Sequence, residues 1–71
     1  MKINVTISWD EEARVWTAVA NDIGLVLESG SVDALIEKVK TAAPELIEMN
    51  MPQAGEASLL FSIEREEYER K

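Results

Sequence analysis

The chain has neither cysteine nor histidine among its 71 residues. Without thiols there is no disulfide to staple the fold and no thiolate for metal or redox chemistry. Without imidazole, the common zinc sites and most general-base mechanisms are excluded as well. Glycine and proline are sparse, and no internal repeat or low-complexity segment interrupts the chain. Basic residues are scarce too, seven against fourteen acidic ones, for a formal charge of −7. Such a field repels phosphate backbones and anionic lipid, so neither nucleic acid nor a membrane surface is an expected direct partner; a basic protein is. No apolar run is long enough to span a bilayer. The opening residues Met1 to Thr6 lack the apolar block of a signal peptide, and a cytoplasmic location is the expectation.

What remains is a short chain with two clear periodicities. Ile3, Val5, Ile7 and Trp9 alternate with Lys2, Asn4, Thr6 and Ser8, the period of a strand buried on one face. Asp10 to Ala13 is polar and suits a hairpin loop, after which Arg14 to Ala20 returns as a second strand rich in β-branched and aromatic residues. With Trp9 opposite Arg14, Ile7 would face Trp16, placing Trp16 in the core beside small alanines. Asn21-Asp22 marks another turn, and Ile23 to Glu28 reads as a third strand with Gly24 at its start.

Ser31 is a good N-cap for the segment that follows. Val32, Leu35, Ile36, Val39, Ala43, Leu46 and Ile47 then form one helical stripe, with charged residues on the other side. Pro44 interrupts the backbone ladder while the stripe keeps its phase. That predicts either a kink near Ala43 or a break followed by a short second helix from Pro44. Met49 and Met51 are expected to cap the core's edge. Ala57 to Ile63 alternates again, with Leu59, Phe61 and Ile63 on one face.

The class is therefore α+β, in the order β-β-β-α-β. A right-handed crossover places the fourth strand beside the first, giving a four-stranded sheet of order 3-2-1-4 with one helix on one face. Residues 1–63 make one domain and residues 64–71 a charged tail. A domain this small has little core, so self-association is expected, most simply as a homodimer.

Trp9-Asp10-Glu11-Glu12-Ala13-Arg14-Val15-Trp16-Thr17-Ala18, followed by Asn21-Asp22-Ile23-Gly24-Leu25, resembles the opening of a family of short bacterial proteins of unknown function that belongs with the HicB-like antitoxins. Ala43-Pro44-Glu45-Leu46-Ile47-Glu48-Met49-Asn50 is also similar to that family, whose members often carry a proline here and close with an asparagine. The resemblance extends from the start of the chain to Asn50; beyond it only the strand pattern agrees. It implies a partial ribonuclease-H-like fold and an antitoxin-related role, binding a small basic HicA-type toxin that cleaves RNA. Many such antitoxins carry an additional DNA-binding segment, whereas only a few charged residues follow the fourth strand here.

Two surfaces are candidates for binding. The sheet face away from the helix should present Val15, Thr17, Val19, Val26 and Leu60 among polar residues, and this face, or the exposed edge of strand three or four, is suited to a homodimer contact. Asp10, Glu11 and Glu12 in the hairpin loop, or Glu37, Glu45 and Glu48 on the helix, could steer a basic partner. The three loop carboxylates could be taken for a magnesium cluster, but consecutive loop residues fan outward, whereas a metal-dependent nuclease converges carboxylates from different elements. No catalytic, metal or cofactor residue is expected, and the chain reads as a binding domain rather than an enzyme. The alternative is an orphan domain acting as a stand-alone homo-oligomer or a small-ligand binder.

Overall fold

The computed structural model describes residues 1–53 and 55–64, and the expected charged tail beyond Glu64 lies outside the described residues. Strands β1 (Lys2–Asp10), β2 (Val15–Ala20) and β3 (Leu25–Ser29) are followed by helix α1 (Val32–Asn50) and strand β4 (Ser58–Glu64). A 3-10 turn at Asn21–Ile23 precedes β3. The strands lie in the order β3-β2-β1-β4, with β1 antiparallel to β2 and parallel to β4. This is the expected α+β arrangement. Short connections join the first three strands into a meander, and the helix carries the chain back across one face to lay β4 beside β1.

The alternation in the sequence sorts the two faces as expected. Ile3, Val5 and Ile7 of β1, Ala18 and Ala20 of β2 and Leu25 of β3 are buried against Leu35, Val39 and Ala43 of the helix. Among the described residues no polar or charged residue is buried. Small alanines on β2 let the helix approach closely, and the apolar area removed from water on this one face is the main stabilising term.

Helix α1 begins where Ser31 Oγ accepts a hydrogen bond from the Ala34 N–H at 3.4 Å, with Asp33 in the positive first turn. It then runs through Pro44 as a single element to Asn50, so no second helix starts at the proline. The physical reason lies in the phase of the stripe. Residues on both sides of Pro44 dock on the same sheet face, and Lys40, whose carbonyl loses its usual donor, is exposed to water. At the far end Asn50 Nδ2 donates to the Leu46 carbonyl at 3.0 Å and to the Ile23 carbonyl at 3.2 Å, tying the helix to the turn before β3.

Several expectations need correction. The β1–β2 register places Trp9 opposite Trp16 and Ile7 opposite Ala18, two residues from the expected pairing. The loop is Glu11 to Arg14 instead of Asp10 to Ala13, because Asp10 Oδ1 accepts from the Glu12 and Ala13 N–H groups, both at 3.1 Å, and organises the turn from the strand's end. An even shift preserves the faces, so the core survives, but Trp16 moves to its half-buried margin. Ile23 is not in β3: it closes the 3-10 turn, where it is fully buried, and Gly24 takes the left-handed conformation (φ +64°) that ends the turn. Met51 packs on the core edge, whereas Met49 is exposed. Ile63 is 54% exposed instead of covered, because α1 packs mainly on β3 and β2.

Candidate protein-binding surfaces

The hairpin loop is built by its own acidic residues. Besides the two bonds to its carboxylate, Asp10 accepts the Arg14 N–H at its carbonyl at 2.7 Å, and Arg14 turns the chain with φ +57°. The Trp9 indole N–H donates to the Glu11 carboxylate. Trp9 meets Trp16 edge to face with ring centroids 5.3 Å apart, a favourable aromatic geometry. Asp10 and Glu11 thus shape the loop as well as charging it, and Glu12 stands exposed at its tip.

On the helix, Glu37, Thr41, Glu45 and Glu48 recur at spacings of four, four and three, which align them on one side. All four are exposed. Glu37 pairs with Lys40 at 3.3 Å with both side chains largely in water, so the pair adds little to stability. Glu45 and Glu48 lie towards the helix end held at Ile23, while Trp16 pairs with Ser29 just before the helix begins. The loop carboxylates and the Glu45–Glu48 pair therefore sit at opposite ends of the sheet and form two surfaces.

The sheet face away from the helix carries all five residues expected there. Val15, Thr17 and Val19 form a column along β2, and Val26 stands directly opposite Val19. Val26 is 71% exposed, and the β2 column is half-buried. Ser8 Oγ and Thr17 Oγ1 lie 3.3 Å apart across the β1–β2 pair. Leu60 is also exposed but stands apart, since Asn4 is its neighbour on β1. The structure thus brings together Val15, Thr17, Val19 and Val26, and separates Leu60 from them by the polar β1 row.

Sequence reading missed two features. Lys38 Nζ donates to the Glu28 carbonyl of β3 at 3.1 Å, a contact that depends on how the helix lies across the sheet. The exposure of Ile63 comes from the same placement and has no local signal. Among the described residues, shallow grooves lie beside the helix and at its C-terminal end. One is lined by Leu27, Glu37, Lys38, Thr41 and Ala42, the other by Met1, Asn50, Met51, Pro52 and Gln53. Among the described residues no group of three acidic side chains is placed to hold a metal ion, and no helix is long and apolar enough to cross a membrane.

Comparison with known proteins adds a family. The family described as Domain of unknown function (DUF1902) matches residues 2–71, well beyond the segment on which the sequence resemblance rested. No curated protein matches the chain. Among solved structures it is similar to hypothetical protein TTHA1013 from the extremely thermophilic bacterium Thermus thermophilus. That similarity has a TM-score of 0.74 at 30% identity and spans the whole of both chains.

Proposed function

We propose that this chain, which belongs to the family described as Domain of unknown function (DUF1902), works by binding another protein and not by catalysis. The observation that carries this reading is the uncovered sheet face, where Val26 is 71% exposed beside Val19 with the helix on the opposite side. A contiguous apolar patch bordered by hydroxyl-bearing side chains is characteristic of a contact surface. The partner we favour is a small basic protein. A net charge of −7 attracts one, and the exposed carboxylates of Glu12, Glu45 and Glu48 lie on surfaces it can reach. The resemblance to HicB-like antitoxins supports the same class of partner, a HicA-type toxin.

The test is capture of a short basic protein encoded in the neighbouring reading frame, with affinity measured by calorimetry over a salt series. Binding should weaken as salt rises and should weaken again in Val19→Glu. Absence of binding to that protein, or affinity indifferent to both salt and Val19, would refute the proposal. The Val19–Val26 pair also favours a second reading, a stand-alone homo-oligomer joined through the same face. In that case Val19→Glu would lower the mass of the isolated protein.

A further inference from the structure

Strand β4 is the last strand of the sheet, and its outer edge has no partner among the described residues. The Ser58 N–H points inward, to the Met1 carbonyl at 2.8 Å. In a parallel ladder the residues that bond to the neighbour alternate along the strand. Ser58, Leu60 and Ser62 therefore turn their backbone groups toward β1, and Leu59, Phe61 and Ile63 turn theirs outward. Those same residues carry the strand's apolar side chains on the helix-side face, where Leu59 and Phe61 are half-buried and Ile63 is 54% exposed.

Sheet edges of this kind are normally blunted by lysine, proline or a covering element. The β3 edge is short and carries Glu28, whose carbonyl is taken by Lys38. From Ser58 to Ile63, β4 has no charge and no proline, although the chain as a whole carries −7. A partner strand of either charge gains nothing from this stretch, whereas an identical strand meets it without repulsion.

We infer that β4 is the seam of a homodimer in which two copies pair antiparallel about Phe61, extending the sheet from one subunit into the next. This register sets Phe61 against the partner's Phe61 and Leu59 against the partner's Ile63. Each of these pairs exchanges both backbone hydrogen bonds, because all of them are residues whose groups point outward. Every apolar side chain on the helix-side face then meets another, and both helices lie on the same side of the joined sheet. A shift by one residue would set outward groups against inward ones and lose the ladder. A shift by two in either direction would shorten the paired stretch within Ser58–Glu64. The contact is isologous, so it closes on itself at two copies. A single strand seam is narrow compared with a standard interface of about 800 Å² per partner, so the dimer should form reversibly with concentration. It uses a different surface from the open sheet face and does not depend on the basic partner.

The test measures mass by sedimentation equilibrium on the isolated chain over a concentration series. The mass should rise from one chain toward two and stop there. Ile63→Pro removes an outward N–H without touching the bonds to β1, and should stay at one chain with its circular dichroism intact. Ile63→Lys, which adds a charge from each copy at the seam, should do the same and serves if proline disturbs the strand. Val19→Glu should associate as the unmodified protein does. For the register, the absence of native cysteine allows Leu60→Cys and Ser62→Cys to be oxidised separately and mixed. Cross-links should appear in the mixture and not in either alone, since Leu60 lies opposite the partner's Ser62. A monomer at every concentration, a dimer that survives both Ile63 variants, or loss of association in Val19→Glu would overturn the seam. Leu60→Cys cross-linking to itself would overturn the register.

Discussion

Along β3 the sheet is closed by the helix. Leu25 is buried, Leu27 packs against the core, and Lys38 reaches over to the Glu28 carbonyl. Along β4 the same sheet is left open toward the strand's end, with Ile63 at 54% exposure and nothing paired outside it among the described residues. Both edges put apolar residues on the helix side, Leu25 and Leu27 on β3 and Leu59, Phe61 and Ile63 on β4, so the pattern of that face does not separate them. The difference arises because one helix cannot cover the width of four strands, each about 4.8 Å from the next. The uncovered side is where a second molecule can complete what the chain itself leaves unfinished.

The sharpest way to break that contrast is to delete comparable side chains on the two sides. Leu35→Ala, beneath the helix, should cost about 2–5 kcal/mol. That is a large part of the roughly 4–10 kcal/mol available to a domain of this size, and urea melts should show it partly unfolded near room temperature. Ile63→Ala, at the open edge, should cost the isolated fold less than about 1 kcal/mol in the same assay at low protein concentration. Equal losses would mean that the open edge belongs to the core.

Pro44→Ala probes the closed side from its solvent face. It restores a donor for the Lys40 carbonyl and removes a ring from the helix interior, and should stabilise by about 1–3 kcal/mol. In a domain this small that is a rise of roughly 4–8 °C in Tm per kcal/mol. A fall in Tm would show that the proline is matched to its helix by packing. Asn50→Ala should have a smaller effect than Leu35→Ala or Pro44→Ala, about 1 kcal/mol, by freeing the carbonyls of Ile23 and Leu46. Amide exchange should then accelerate at the helix end and at the turn before β3, and leave the hairpin loop unchanged.

The element order and the faces were legible in the sequence because they depend on periodicity alone. Ile3, Val5 and Ile7 point inward whatever strand lies beside them, and the helix stripe from Leu35 to Ile47 is continuous across Pro44. The residues of the open face were legible for the same reason, as the complement of the core set. The register was harder to read. Trp9 opposite Trp16 in place of Arg14 depends on where Asp10 turns its carboxylate, a choice between neighbouring loop geometries that no alternation encodes. Ile23 was misplaced because a buried apolar residue in a 3-10 turn looks, in sequence, like the first residue of a strand.

The sequence by itself determined a non-thiol, acidic α+β domain with one dry face and one wet face, since burial periodicity and charge are properties of the chain read in order. Only the tertiary structure decided which edge stays open. That depends on where a rigid helix settles across a sheet wider than itself, and on long-range bonds such as Lys38 to Glu28 and Asn50 to Ile23 that fix it over β3 and β2.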